Sequence, residues 1–520
     1  MGSGSSEYVT DVTYVRSFES ELSPSRLRLA AALNGFPTPP AEDFDYCELG
    51  SAHGDTMVAL AAANPRARFV GVDLNGEHVA SGNRLATEAG LGNVRFLERD
   101  FEELGQETLP DLDFICAHGV LSWVGPAKRK AILDFALRKL KPGGLLYVSY
   151  NALPGWAGVE PLRQLLLSGA VGAVGDSLER ARKGLAFAKE MHEAGAEYFA
   201  DNPSAREMLV TMEKAGLPYV VHEYLHAHWA PMYFAQVAWE MAASDLHFTG
   251  QLPLYLNYRD LAIPPSLAKL FERVVDRPTF ESLKDFALNE FFRRDVYIKG
   301  KAARSAATTQ AYFDTTSFGL GEGGVPAARD VALPHHTLRF EGALFDALFQ
   351  ELGRGPATAP ALATRPCLAA FGGEQVRAAL LRALLGGHVV PLLRTEQAAE
   401  APAAGRLGMP SAYNRMILER SLTSGSPIVL ASPVTGTGVS IPVLRAIAIR
   451  LLIDVPAAKR QRWIRDHFGQ DALRLKVSDR VIERKEELER LILDELAQFK
   501  TTRLARFLDL GILDRTASVT

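Results

Sequence analysis

The stretch "YCELGSAHG", residues 46–54, decides the fold. Its apolar opening ends at Glu48-Leu49, glycines at 50 and 54 bracket Ser51, Ala52 and His53, and "DTMVALAAAN" (55–64) follows with helical composition. A strand that turns through small residues straight into a helix is the opening unit of an open α/β sheet. Glycines at such a turn let the backbone pass close to a ligand. Gly50, Ser51, Ala52 and Gly54 therefore read as a nucleotide cradle, although a Gly-rich turn also serves plain strand–helix packing.

The alternation continues on both sides. "FDYCELG" (44–50), "ARFVGVD" (67–73), "VRFLERD" (94–100), "LDFICAHG" (112–119) and "GLLYVSYN" (144–151) read as strands; residues 55–64, 76–90 and 127–140 read as helices. Strand–helix alternation of this kind means a parallel sheet with right-handed crossovers, and its ligand crevice lies beyond the carboxyl ends of the strands. Residues 157–217 break the pattern with Ala, Leu, Glu and Arg at helical spacing, which predicts a helical cap inserted over the crevice. A helix and strand at 231–254 resume the sheet, expected to end near Asn257.

Further along, 258–320 is expected to be a helical regulatory segment, 321–395 a winged-helix-like domain of three short helices and a strand, and 396–520 a helical C-terminal domain. "GEGGVPAARD" (321–330) and "RTEQAAEAPAAGRLGMPS" (394–411) read as linkers, and Ser478 as the N-cap of a late helix. The opening "MGSGSS" reads as a flexible leader outside the fold. The fold class is thus α/β, a Rossmann-like sheet domain over 7–257 with a cap, followed by mostly helical units.

A chain of 520 residues is too long for one core. Its net charge of -4 gives no general pull toward polyanions, and bulk nucleic-acid binding is not indicated. Three widely spaced cysteines suggest neither a disulfide framework nor a thiolate metal site, and a reducing cytoplasm fits. No apolar run reaches the roughly 18 residues of a membrane span.

Beside the glycine turn of the first strand, two acids stand at the ends of the next two. Asp73 closes the second strand, where a carboxylate can accept both hydroxyls of a ribose, with Leu74 beside it. Asp100 closes the third, where it can accept an adenine amino group while Phe101 lines the base. Each alone could be a solvated aspartate; their coincidence on consecutive strands is harder to dismiss. The turn contains no basic residue except His53 and is followed by Asp55, so a pyrophosphate would meet little positive charge. S-adenosylmethionine has no phosphate, and its cationic end would prefer Glu48 and aromatic faces.

"YCELGSAHG", "VGVDL", "ERDF", "DFICAHGVLSWV" and "SYNALPGWAG" resemble the successive motifs of class I S-adenosylmethionine-dependent methyltransferases. "AHGVLSWV", "SYNALPGW", "HEYLHAHWAPMYFAQV", "DFALNEFFRRDVYIKG" and the leading "YVTDVTYVRSFESELSPSRL" are similar to the group carrying a methyltransferase regulatory domain, some of whose bacterial members methylate protein lysines. The resemblance runs from about residue 8 to 300. It implies S-adenosylmethionine as cofactor, Tyr14 and His118 among its contacts, and a protein or peptide acceptor. It leaves room for a homodimer. Ser51-Ala52 departs from the Gly-containing pair of many members.

Methyl transfer is an in-line displacement that needs a dry, oriented acceptor slot. Asn151 offers a carbonyl for an amine N–H, Tyr150 and Trp156 offer apolar faces, and Trp123 either lines the slot or anchors the helix after the fourth strand. His118 reads as a ring packed on the cofactor, with general base as the other role. "HEYLH" (222–226) matches the zinc-peptidase pattern H-E-x-x-H, but Pro218 and Pro231 confine it and no third ligand follows at the required spacing, so no metal is expected. His222 and Tyr224 either line the crevice mouth or belong to a packed aromatic cluster. Competing readings are a methyltransferase for a peptide or small natural product, and a noncatalytic cofactor-sensing regulator that binds nucleic acid; "GEQVRAALLRALLGG" gives the latter a poor electrostatic footprint.

Overall fold

The computed structural model describes residues 11–12, 16–326, 329–394, 406–424, 427–468, 476–477, 480–482 and 484–516. Tyr14, Ser478 and most of the 394–411 segment fall outside them.

Seven strands form the central sheet: β1 (Asp45–Leu49), β2 (Arg68–Asp73), β3 (Val94–Glu98), β4 (Leu112–Ala117), β5 (Leu140–Asn151), β6 (Leu246–Gln251) and β7 (Phe292–Lys299), in the order β3-β2-β1-β4-β5-β7-β6. The first five are mutually parallel, and β7 runs antiparallel to both β5 and β6. Every residue of β1 and β4 is buried, because helices cover both faces. One face packs Tyr46, Phe69, Phe114 and Tyr147 against α1 (Pro24–Leu33), α2 (Asp55–Ala63) and α3 (Gly76–Glu88). The other packs Cys47, Ile115, Val148 and Tyr297 against α4 (Pro126–Lys139). The strand order reverses between β1 and β4, and this reversal opens the crevice.

The sheet does not end near Asn257. Segment 258–320, expected to be helical, contains β7, which lies between β5 and β6 and carries the sheet to Lys299. The sequence "FRRDVYIK" hides this strand because its charges suggest a solvated surface. Instead Arg293 and Asp295 are fully buried, and the Arg293 guanidinium contacts Glu281, Asp285 and Asp295. Buried charges persist only when paired in this way.

The inserted cap comprises α5 (Glu160–Gly169), α6 (Ser177–Glu193), α7 (Glu197–Asp201), α8 (Pro203–Ala215) and α9 (Leu217–Tyr224), with its own apolar core around Leu162, Phe199, Leu209 and Met212. Helix α10 (Phe234–Ala242) then returns the chain to the sheet.

Beyond β7, strand β8 (Ser317–Leu320), a small ribbon β9 (Asp330–Ala332) and β10 (Thr337–Arg339), several helices and β11 (Val389–Leu392) build a third core, with β11 paired back onto β8. The C-terminal part is not purely helical. After β12 (Arg406–Gly408) it forms an antiparallel hairpin, β13 (Ile428–Ser432) and β14 (Thr437–Ile441), where β-branched residues flank a tight turn. Among the described residues no helix is long and apolar enough to cross a membrane.

Candidate functional site

The β1–α2 turn is held by backbone bonds from Gly50 and Ser51 N–H to the Val72 carbonyl. Gly50, Ala52 and Gly54 all have positive φ, at 78°, 45° and 77°. A Cβ on Gly50 would lie 2.8 Å from Val120 Cγ2, and one on Gly54 2.4 Å from Phe96 Cζ. The same phenyl ring is closed in by Gly71 and Gly82, so three glycines seat Phe96 beneath the turn. These positions tolerate no side chain; Ala52 carries the left-handed conformation at some cost.

Around this turn opens a cavity of about 550 Å³. It is lined by Glu48, Gly50, Ser51, Ala52, Gly54, Asp73, Leu74, Asp100, Phe101, His118 and Trp123, all expected from the sequence, and by His222. The structure adds Ser17, Glu19, His53, His78, Arg99, Lys128, Glu223, His226, His228 and Phe292. Six of the twelve histidines of the chain thus face one space, which local sequence could not reveal because they come from four separate segments.

Asp73 accepts Ala52 N–H at 2.8 Å through Oδ2 and Asn75 N–H at 2.9 Å through Oδ1, with His78 Nδ1 at 3.3 Å. Oδ2, with one partner, keeps a lone pair for a ligand hydroxyl, and the carboxylate shapes the turn itself. Asp100 accepts Glu102 N–H at 3.2 Å as the cap of a short 3-10 helix and contacts Lys128 Nζ. Glu48 is buried; its Oε2 and the Ser51 hydroxyl have no partner among the described residues. Burial, with Glu19 and Asp73 adding negative charge, pushes the Glu48 carboxyl up to about 8. Such a group calls for a cation, and the sulfonium and ammonium of S-adenosylmethionine supply one. The residues present therefore fit that cofactor: Glu48 would hold its charged end, and Asp73 and Phe101 would hold its nucleoside.

His118, just past β4, holds Nδ1 3.0 Å from the Tyr147 hydroxyl and 3.2 Å from Ser149 Oγ, with Nε2 3.9 Å from Glu19. Burial lowers its pKa, Arg294 adds to that, and Glu19 opposes it. Its edge contact with Phe292 brings β7 to the site.

Other expected slot residues lie elsewhere. Tyr150 is fully buried on the opposite face of β5 and donates its hydroxyl to Asp295. Consecutive strand residues point to opposite faces, so Tyr147 and Ser149 serve the His118 side and Tyr150 cannot. Asn151 is buried behind the wall, held through its backbone by Ser122 and Met232. Trp156 donates Nε1–H to the Phe291 carbonyl at 2.9 Å and packs with Tyr224 and Trp229 in the cap core. Of the two alternatives for the His222–Tyr224 pair, the cavity takes His222 and the aromatic cluster takes Tyr224. Helix α9 stops at Tyr224, so His222 and His226 are not presented from one continuous helical face.

Comparison with known proteins follows the same outline. Residues 47–144 match the family model described as a methyltransferase domain, and residues 217–299 the one described as a predicted methyltransferase regulatory domain. Over 448 residues the chain is 32% identical to "Uncharacterized protein sll1526" of Synechocystis sp., covering 85% of this chain and 87% of that one. A Rickettsia prowazekii relative, "Uncharacterized protein RP789", is 29% identical over 272 residues, 52% of this chain and 48% of its own. PKMT2 from Rickettsia typhi in complex with AdoHcy has the same fold, with a TM-score of 0.70 at 19% identity over 96% of this chain and 99% of that one.

Proposed function

The chain belongs to the S-adenosylmethionine-dependent methyltransferases that carry a methyltransferase regulatory domain, and we propose that its acceptor is a protein side chain, the ε-amine of lysine. The observation that carries this reading is the charge of the cavity. Seven acidic side chains line it, from Glu19, Glu48, Asp55, Asp73, Asp100, Glu102 and Glu223, with Glu48 keeping its proton until a cation arrives, against the cations of Arg99 and Lys128. An anionic wall draws a cationic amine and repels phosphate-bearing acceptors. The shared fold with PKMT2 supports the same acceptor class.

When bound, the cofactor supplies an electrophilic methyl group; the chain's own residues must hold and dehydrate the amine. A lysine ammonium has an ordinary pKa of about 10.4 and must lose a proton before its lone pair can attack. Removal from water beside Trp123 favours the neutral amine, while the Glu19 carboxylate holds the ammonium until the proton leaves to solvent. His226 is kept neutral, its pKa pushed down to about 4 by burial and by His222. A neutral imidazole beside the slot can accept an N–H without adding charge repulsion against the incoming amine.

The test incubates the full chain with methyl-labelled cofactor and a bacterial lysate divided into protein, nucleic-acid and small-molecule fractions. Label is expected in protein, recovered as methyl-lysine after acid hydrolysis. Label confined to RNA or to small molecules overturns the lysine reading.

A further inference from the structure

Residues 16–19 form one wall of the cofactor cavity, with Ser17 and Glu19 facing into it. Arg16 reaches Asp55 at 2.8 Å and Ser81 at 2.7 Å, and Glu19 N–H donates to Thr56 Oγ1 at 3.0 Å. The segment is therefore a strap laid across the start of α2. Phe18, between the two cavity residues, points the other way. Its ring packs on the β13–β14 hairpin of the C-terminal domain, so close to Gly438 that a Cβ there would lie 2.6 Å from Phe18 Cζ. Farther along the strap, Ser23 Oγ meets Thr437 Oγ1.

The hairpin in turn rests along α2. Asn64, which caps that helix, donates to the Gly436 carbonyl at 3.0 Å, and Ala431 belongs to the same apolar core as Met57 and Leu60. Gly436 sits at φ 65°, and a Cβ on it would lie 2.8 Å from Asn64 Oδ1, so the turn is seated without slack. Strap, α2 and hairpin thus form one packed unit, although residues 18 and 438 are far apart in sequence.

We propose that the β13–β14 hairpin sets the strap over the cofactor, with Phe18 as the positioning residue, so that cofactor binding and docking of the C-terminal domain are linked. Glu19 reaches His118 and adds to the charge around Glu48 only while the strap lies in place. By reciprocity, cofactor that stabilises the strap must also stabilise the hairpin.

Hydrogen exchange on the full chain, with and without S-adenosylmethionine, tests the linkage. Cofactor is expected to slow exchange in residues 428–441 as well as in 16–23, although no residue of 428–441 touches the cavity. Protection of the strap with an unchanged hairpin overturns the proposal. Phe18→Ala is expected to weaken cofactor binding about 5- to 50-fold, within the usual range of coupling between sites, and to erase the hairpin's protection. Phe18→Leu restores an apolar plug and is expected to recover most of both effects; it also serves if the alanine variant does not fold. Affinity within twofold of the unmodified chain in Phe18→Ala, or a Phe18→Leu protein that folds with normal thermal stability yet binds no better than the alanine variant, overturns the assignment. Both readouts concern cofactor binding alone, so they stand or fall independently of the methyl acceptor.

Discussion

The Tyr150 hydroxyl donates to Asp295 Oδ2 at 2.7 Å, joining β5 to β7 inside the core. Burial raises the Asp295 carboxyl above its ordinary range, and Arg293 and the phenol oppose that rise. Tyr150→Phe removes a bond to a charged partner in a dry site, a loss of about 1.5–3 kcal/mol. The midpoint of urea unfolding is expected to fall, while calorimetric cofactor affinity stays within about twofold. A large loss of affinity without loss of stability would return Tyr150 to the active site.

Asp73 accepts two backbone N–H groups around the turn and lines the cavity, where it is expected to meet the cofactor's ribose. Asp73→Ala is expected to weaken S-adenosylmethionine by at least about tenfold, since charge-assisted bonds are worth roughly 1.5–3 kcal/mol. Asp73→Asn keeps acceptor capacity on one atom only and is expected to fall between the two. Calorimetry that finds all three proteins alike would remove Asp73 from the cofactor site.

Glu48 gives the cavity a pH dependence. Its carboxyl, raised to about 8, keeps a proton in the folded, empty protein that the unfolded chain gives up above the ordinary 4.5. The stability it contributes is therefore complete below pH 4.5 and is lost as pH rises through about 8. A cationic ligand favours the ionised form, so binding releases a proton at pH 7 and affinity rises toward pH 8. Calorimetry in two buffers of different ionisation heat measures that proton, and Glu48→Gln is expected to abolish it. An affinity flat from pH 6 to 8.5 in the unmodified protein contradicts the assignment.

Phe96 fills the space under the turn that Gly54, Gly71 and Gly82 leave open. Gly71→Ala places a methyl 2.5 Å from Phe96 Cδ1, and overpacking of this kind costs about 1–3 kcal/mol. Gly54→Ala adds left-handed backbone strain directly in the cofactor turn, so it is expected to impair binding as well as stability. Thermal unfolding with and without cofactor separates the two: ligand should raise the melting temperature of Gly71→Ala nearly as much as that of the parent, and that of Gly54→Ala by much less.

The parallel half of the sheet was legible because buried strands flanked by amphipathic helices leave a strong pattern, and Gly50, Asp73 and Asp100 sit at its ends. Strand β7 was not, since Arg293 and Asp295 imitate a solvated face and only their long-range partners Glu281 and Tyr150 explain them. Pleat parity excludes Tyr150 only once the structure has placed His118 on the face of Tyr147, which the sequence does not state. Glu19, Lys128 and Phe292 carry no local signal of ligand contact, because the cavity is assembled from segments far apart in the chain.

The position of β7 also sets an order of events during synthesis. Strand β5 ends at Asn151 and β6 at Gln251, but the strand that joins them is not complete until Lys299. A nascent chain therefore carries an open edge on β5 while the whole cap emerges from the ribosome, and then an unattached β6 until β7 follows. Late, nonlocal pairing is slow, and unpaired edges invite association with other chains. The cap can collapse on its own core in the interval, and its docking would shield the waiting edge. A fragment that stops at Asn257 freezes that unfinished stage, so expression of the catalytic region alone requires the chain to continue through Lys299.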